Sequence, residues 1–184
     1  MREPTISRNY AETLVALARR ANDLEGWGGM MDEVVDAIES DLRLKRFLES
    51  PRVSAAFKSE LVARAFADRL PRLFVRFLQA VITHRRQHLL PEIALEYHAL
   101  VDEIEHRVHA DVTLAAEPDR DEAAAVTKRL SVLLDKTVVP HFRVRPEILG
   151  GTIVRVGDTV MDGSVRRRLS LLRSRMLRGV GARG

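Results

Sequence analysis

The spacing of apolar residues changes near residue 110, and this change limits the folds open to the chain. Before it, apolar residues recur every three or four positions, the spacing of one face of an α-helix. Ser7 is expected to cap the first such helix and Gly26 to end it. Five further stripes follow with short connections, which favour antiparallel neighbours. Residues 1–105 are therefore predicted to form a six-helix bundle. The first stripe consists of Ile6, Tyr10, Leu14, Leu17, Ala21 and Leu24.

Beyond residue 110, apolar and polar residues alternate, as in a half-buried β-strand. The strand 110–116 is followed by a helix that Asp119 caps and that runs to about Leu134. A second strand is predicted over 138–144, and Pro140 favours an edge position for it because proline cannot donate to a sheet ladder.

Two short apolar runs, 152–156 and 159–161, flank Gly157-Asp158 and predict a β-hairpin whose turn needs positive φ. Asp162 or Ser164 is expected to cap a last helix. Residues 106–184 are thus predicted to form a small strand–helix–hairpin–helix module. The fold class predicted for the chain is mainly α with a small α+β part.

The balance of charged residues also changes near residue 105. Residues 1–105 hold 15 Lys and Arg against 17 Asp and Glu, whereas residues 106–184 hold 15 against 9. This difference suggests two modules with different partners. The chain has no cysteine, which excludes disulfides and thiolate chemistry. No apolar run approaches the ~20 residues of a membrane helix, and no signal core follows the N-terminus, so an intracellular protein is expected.

The candidates for chemistry all have simpler interpretations. His84 with His88, and His106 with His109, have helical spacing but lack a well-placed third ligand, so solvated helix ends are favoured over a metal site. Asp158 and Asp162 are better explained by a turn and a helix cap than by acid–base catalysis. The glycines match no nucleotide-binding spacing. We therefore expect no catalytic residue, no metal and no cofactor.

An arginine-rich last helix is the one strong electrostatic feature. Arg166, Arg167 and Arg168 are followed by Arg173, Arg175 and Arg178. Such a helix can bind nucleic acid or an anionic membrane, although no aromatic residues interleave for base stacking. An acidic protein partner, or a solvated face, accounts for it equally well. A nucleic-acid-binding module therefore stays open as the alternative to a protein-binding adaptor.

The stretch 150–169 resembles the C-terminal signature of the delta subunit of the bacterial F-type rotary ATP synthase, the counterpart of the mitochondrial oligomycin-sensitivity-conferring protein. The N-terminal part agrees in residues 8–11, in 47–51, and in Arg86 followed by 89–93. The chain departs from the family at Arg145, where an acidic residue commonly precedes the proline. The signature residues are Gly150, Gly151, Gly157, Asp158, Asp162, Gly163, Ser164, Arg166 and Leu169.

This resemblance implies a non-catalytic subunit of the peripheral stalk, or stator, present in one copy per complex. It would link the catalytic head to the membrane-anchored b subunits and so couple proton-driven rotation to ATP synthesis. It would lie at the cytoplasmic face of the bacterial inner membrane and associate with the membrane only through the complex. Residues 1–105 would receive N-terminal helices of alpha subunits, and residues 106–184 would contact the C-terminal ends of the b subunits.

The resemblance also implies two sets of contact residues. Tyr10, Thr13, Arg76 and Ala80 match the alpha-subunit groove between the first and fifth helices, with a core position as the alternative for Tyr10. Helical spacing permits the match, because 10 and 13 share one face, as do 76 and 80. For the b subunits, the expected contacts are Arg166, Arg168 and Arg173 on the last helix.

Overall fold

The computed structural model describes residues 3–67 and 69–180, with side chains for 5–67 and 69–174. The chain divides into two compact units, with the boundary between Ile104 and Glu105. The prediction of a mainly helical chain with a small sheet is confirmed. No helix within the described ranges is both long and apolar enough to cross a membrane.

The first unit is built from helices joined by short connections. Helix α1 contacts α2, α5 and α6, while α4 packs mainly on α5. A 3₁₀ turn, Gln87–Leu89, precedes α6. The helices are α1 (Glu3–Ala21), α2 (Leu24–Ser40), α3 (Leu42–Glu49), α4 (Ala55–Phe66), α5 (Arg72–Thr83) and α6 (Leu90–Ile104).

The core of the first unit lies where α1, α2, α5 and α6 meet. Phe74 and Tyr97 are fully buried, and Trp27 meets Phe74 edge-on at 5.5 Å between ring centroids. The buried Tyr97 hydroxyl donates a hydrogen bond of 2.7 Å to the carbonyl of Leu24, so its polar end keeps a partner. Aromatic rings of this size bury the most apolar area per residue and hold the helices together.

The first helix departs from the sequence prediction at both ends. Helix α1 already includes Ser7, whose side chain is buried instead of capping a helix start. The helix ends at Ala21, where Asn22 takes a left-handed conformation with φ of 54°. Gly26 does not end it: it lies in the first turn of α2, and its backbone N–H donates to the Asp23 carboxylate that caps α2. The break between α1 and α2 therefore lies at Asn22 and Asp23 and not at Gly26.

Lys58 on α4 is a buried cation in the first unit, with 5% of its surface exposed. Its ammonium group donates to the carbonyl oxygens of Leu48 and Ser50 at 2.6 and 2.7 Å. Those carbonyls lie at the end of α3, where backbone oxygens lack partners within the helix. Burial lowers the pKa of Lys58, and the nearby positive charge of Arg85 lowers it further. Lys58 thus closes the C-terminal end of α3.

The second unit is a four-stranded mixed sheet with helices. Strand order is β2-β1-β3-β4, so β2 lies at an edge, as Pro140 indicated. Strands β1 and β2 are parallel, while β3 is antiparallel to both β1 and β4. The elements are β1 (Arg107–Leu114), α7 (Arg120–Leu134), β2 (Thr137–Val144), a 3₁₀ turn (Pro146–Ile148), β3 (Thr152–Val156), β4 (Thr159–Asp162) and α8 (Val165–Val180).

Helix α7 covers one face of this sheet. Asp119 caps its N-terminus as predicted, and it does so as part of a capping box: the Asp119 carboxylate accepts from the Glu122 backbone N–H, and Glu122 accepts from the backbone of Asp119. Leu130 of α7 is buried against the even-numbered residues of β1. The buried cluster comprises Ala110, Val112, Leu130, Val138 and Val154.

Candidate partner-binding surfaces

The first candidate surface lies where α1 and α5 are in contact. Tyr10 of α1 is half-buried, and its ring meets the edge of Phe77 of α5 at 6.2 Å between centroids. Arg86 places its guanidinium 5.7 Å from the centre of the Tyr10 ring, within the range of a cation–π contact. Tyr10 therefore belongs partly to the core, as the alternative interpretation held, and partly to the surface.

The other residues predicted for this surface are exposed to solvent. Thr13 lies one turn after Tyr10 on α1, and its hydroxyl donates to the carbonyl of Asn9 at 2.9 Å, which ties it to its own helix. Arg76 and Ala80 occupy one face of α5, one turn apart. Of these four residues, Tyr10 is the one whose contact with α5 the structure shows, while Thr13, Arg76 and Ala80 are exposed on their own helices.

Two glycines at the start of the signature are required by backbone geometry. Gly150 has φ of 142° and Gly151 has φ of 77°, and Leu149 before them is also left-handed with φ of 64°. A Cβ at Gly151 would lie 2.5 Å from the carbonyl oxygen of Gly163, closer than any side chain tolerates. The backbone of Gly163 in turn donates to the carbonyl of Thr152 at 2.9 Å. This close approach joins the loop before β3 to the start of α8.

The signature's polar residues hold the end of the hairpin against α8. The Asp162 carboxylate accepts a bond of 2.9 Å from the Ser164 backbone N–H, and the Ser164 hydroxyl accepts from the Arg167 N–H at 3.2 Å. Ser164 is therefore the N-cap of α8, and the Asp162 carboxylate holds the backbone of Ser164 in place. The bond from the Ser164 backbone, followed by its hydroxyl and the charge of Arg167, holds the pKa of Asp162 below its usual range.

The hairpin turn itself uses only one residue with positive φ. Gly157 has φ of 54°, whereas Asp158 does not share the left-handed conformation that the sequence suggested for it. A Cβ at Gly157 would meet no atom within 4 Å, so its conformation, not its surroundings, calls for glycine. The paired aspartates therefore serve different local roles, one in the turn and one beside the helix start.

Helix α8 presents the second candidate surface. Arg166, Arg168 and Arg173 are all exposed, and so are the leucines at 169, 171 and 172, each about half exposed. Leu169 and Leu172 lie on the same side of the helix by spacing, together with the partly exposed Val165. The helix contacts the 3₁₀ turn Pro146–Ile148 near its start. An apolar strip flanked by arginines therefore lies open along α8.

A concave surface of about 320 Å³ lies in the first unit. It is lined by residues of α4, α5 and their neighbours, including Pro51, Lys58, Ile82, Arg85 and His88. None of the residues predicted for partner binding lines it. The Lys58 ammonium group in its wall already donates to the carbonyls of Leu48 and Ser50 at the end of α3. We therefore assign no ligand to this depression.

The sequence interpretation missed two contacts that the fold creates. Arg86 was assigned only to the family resemblance, yet it lies over Tyr10. His109 was paired with His106 on helical spacing, but His109 lies on β1 and faces His141 of β2. Neither contact has a signal in local spacing, because each joins elements far apart in the chain.

Comparison with known proteins connects this geometry to a family. The family model described as ATP synthase delta (OSCP) subunit matches residues 6–176. The chain is 55% identical over 172 residues to the ATP synthase subunit delta of Gemmatimonas aurantiaca, covering 94% of this chain and 93% of that protein. It is 34% identical to the corresponding subunit of Desulforamulus reducens, over 94% and 95% of the two chains.

A solved structure shares the fold. A chain of the mitochondrial ATP synthase hexamer of Toxoplasma gondii superposes with a TM-score of 0.59 at 22% identity, covering 93% of this chain and 97% of that chain. Because the superposition covers nearly all of both chains, the shared fold includes the helical unit and the sheet unit.

Proposed function

Because this chain belongs to the ATP synthase delta (OSCP) subunit family, we propose that its role is mechanical: it links the catalytic head to the membrane-anchored b subunits. A delta subunit is a component of the peripheral stalk of the F-type ATP synthase. Rotor torque drives ATP synthesis only if the head is prevented from turning with the rotor. Such a link needs slow dissociation under lateral load and no catalytic group of its own, and the signature aspartates have structural roles that agree with this.

The α1–α5 surface is our proposed docking site for N-terminal helices of alpha subunits. Thr13 and Ala80 are small and exposed, which lets the backbone of an incoming helix approach closely. Tyr10 on Phe77 supplies an apolar base, and aromatic side chains of this kind carry much of the energy of an interface. Arg76 on the rim favours an acidic residue on the partner helix.

Helix α8 is our proposed contact for the C-terminal ends of the b subunits. Its exposed leucines at 169 and 172 give a partner helix an apolar strip to bury, and Arg166, Arg168 and Arg173 flank that strip. An apolar centre with a charged rim is the usual anatomy of a protein interface. The observation that carries this proposal is the exposure of the apolar strip on a helix that is otherwise strongly basic.

The subunit is part of a membrane-bound complex. We propose one copy in each complex, at the cytoplasmic face of the bacterial inner membrane, held there by its protein partners and without a cofactor. The alternative of a nucleic-acid-binding module rests only on the arginines of α8, and the comparisons give it no support.

Calorimetric titration of the full-length chain with a synthetic alpha-subunit N-terminal peptide tests the first docking site. Ala80→Arg, which fills the groove with a long cation, should weaken binding at least tenfold. Ala65→Arg places the same side chain at an exposed alanine on α4 and serves as the matched control, with binding unchanged. Equal affinity of the wild type and Ala80→Arg for the peptide would remove this surface from the proposal.

The second docking site is tested with a soluble C-terminal segment of the b subunit. Replacing both Leu169 and Leu172 by Ser should abolish most of the binding, and Arg166→Glu with Arg173→Glu should weaken it in a salt-dependent way. The matched control reverses Lys128 and Arg129 on α7, both exposed. Loss of b-segment binding in that control would mean that binding depends on general positive charge and not on α8. Tighter binding of RNA than of the b segment would favour the nucleic-acid alternative.

A further inference from the structure

Two histidines of the second unit face each other across neighbouring strands. Nδ1 of His109 lies 2.9 Å from Nε2 of His141, and the ring planes are inclined by only 15° with centroids 5.2 Å apart. Both side chains are exposed to solvent. Two imidazole rings, each with a nitrogen that can bind a metal, therefore lie side by side on the exposed face of the sheet.

The parallel register of β1 and β2 brings this pair together. His109 is the Cα partner of Val139, and His141 is the Cα partner of Asp111, so the two histidines are diagonal neighbours. Because side chains alternate between faces along a strand, both lie on the face opposite the buried Ala110 and Val112. The ladder between the two strands fixes the separation of the backbones that carry the rings.

We propose that His109 and His141 form a binding site for a late first-row divalent metal ion, with Cu²⁺ and Ni²⁺ preferred over Zn²⁺. Imidazole nitrogens bind these ions at about 2.0–2.1 Å. Two nitrogens at that distance are about 2.9 Å apart when they subtend 90° at the metal, and about 3.4 Å apart at the tetrahedral angle. The observed 2.9 Å separation is that of a hydrogen bond between the two rings, so both nitrogens can reach a single ion once the rings turn, and the general order of complex stability places Cu²⁺ highest.

Coordination requires only a small local change. Torsion about the bond to a histidine ring is broad, so each ring can turn its nitrogen lone pair toward a shared metal without moving the strands. In the neutral imidazole one nitrogen carries the proton and the other has a lone pair that can bind a metal. Metal binding selects the tautomers in which His109 carries its proton on Nε2 and His141 on Nδ1, and no proton is released from a neutral pair.

The protein supplies two ligands to this site, and water completes the coordination. No group of three or more His, Cys, Asp or Glu side chains suited to a metal occurs among the described residues. The nearest carboxylate by register is Asp111, which lies 3.3 Å from the guanidinium of Arg143 and is balanced by it. The site is therefore open and weaker than a closed four-ligand site. Open positions also allow a further ligand from a neighbouring subunit.

The test uses tag-free, full-length protein titrated separately with Cu²⁺, Ni²⁺ and Zn²⁺ in a calorimeter. We expect one ion per chain and affinities in the order Cu²⁺ above Ni²⁺ above Zn²⁺. Electron paramagnetic resonance of the Cu²⁺ form should show splitting from two equivalent nitrogens. His109→Gln and His141→Gln should each lower Cu²⁺ affinity at least tenfold and remove one nitrogen from the spectrum.

The matched control is His84→Gln, which removes an exposed histidine of the first unit and should leave both readouts unchanged. Amide spectra of the two sheet variants establish that their fold is retained. The proposal is overturned if the His109→Gln, His141→Gln double variant binds Cu²⁺ as tightly as the wild type, or if the spectrum shows a single nitrogen in the wild type.

Discussion

The hydroxyl of Ser7 on α1 donates a hydrogen bond of 3.0 Å to a carboxylate oxygen of Glu92 on α6. Ser7 is 1% exposed, so this bond forms at the boundary of the apolar core, where an unmade polar contact is costly. Helices α1 and α6 share extensive packing, and this bond joins them at that interface. The helix that carries Tyr10 of the α1–α5 surface is positioned partly through it.

Removing this bond should loosen the first unit. Ser7→Ala is expected to lower the free energy of unfolding by about 1–2 kcal/mol, because it leaves the Glu92 carboxylate without this donor while preserving helix propensity. Urea unfolding followed by Trp27 fluorescence measures the change, since Trp27 is buried in the same unit. Ser40→Ala, at the exposed end of α2, is the control and should change stability little. Equal destabilisation by the two substitutions would mean that the Ser7–Glu92 bond contributes nothing.

Gly151 should be the least replaceable glycine of the signature. Gly151→Ala places a Cβ 2.5 Å from a backbone oxygen at a φ of 77°, so the second unit must distort. We expect a loss of more than about 3 kcal/mol, since left-handed strain alone costs about 1–3 kcal/mol for a residue with a side chain. Gly157→Ala adds the strain without the overlap and should cost about 1 kcal/mol. Thermal unfolding of full-length variants, followed by circular dichroism, ranks the two; the reverse order would contradict this account.

The helices and their order could be predicted from sequence because apolar spacing is a local property. The role of Ser7 could not, because a serine near a helix start has the same local signal whether it caps the helix or lies buried. Its partner, Glu92, is 85 positions away and becomes adjacent only when α1 and α6 pack. The Asp119 capping box was predictable, since both of its residues lie within one turn.

The candidate surfaces were predictable to different degrees. Gly150 and Gly151 could be identified as signature residues from the sequence, but their positive φ angles and the close approach of Gly151 to Gly163 required the fold. The pairing of His109 with His141 depends on the register of two parallel strands separated by a helix, which no local pattern specifies. The exposure of Leu169 and Leu172 could not be predicted from the sequence either. An apolar stripe predicts that a helix face is buried, but not whether it is buried within the chain or against another protein.

Lys58 should be needed for the end of α3. Lys58→Met keeps the length of the side chain but removes the ammonium donor from the carbonyl of Ser50 and from that of Leu48, which still accepts from the Gln87 side-chain amide at 2.7 Å. An unsatisfied buried acceptor costs about 1–3 kcal/mol, so we expect a loss of that size in urea unfolding. Lys45→Met removes a half-buried lysine that pairs with Glu39 at the surface and is the matched control, with a much smaller effect. A stable Lys58→Met protein would show that water replaces the ammonium group at no cost.

Asp162 should make the second unit sensitive to acid. Its pKa is lowered in the folded chain from 3.8, so the unfolded chain binds more protons in this range and stability rises with pH. The contribution is complete well above pH 3.8 and is lost as pH falls through the lowered pKa. Asp162→Asn keeps an oxygen acceptor for the Ser164 N–H but cannot ionise. The wild type should therefore be more stable than Asp162→Asn at pH 7, and the difference should shrink toward pH 3.

Urea titrations of the full-length proteins at both pH values, read from the amide signals of Val112 and Val154, measure that difference in the sheet. Asp162→Ala removes the acceptor together with the charge, so it should be less stable than Asp162→Asn at either pH. A difference between wild type and Asp162→Asn that is the same at pH 7 and pH 3 would place the effect in packing. In that case the charge of Asp162 would not be what stabilises the start of α8, and the Ser164 cap alone would hold the arginine-rich helix in place.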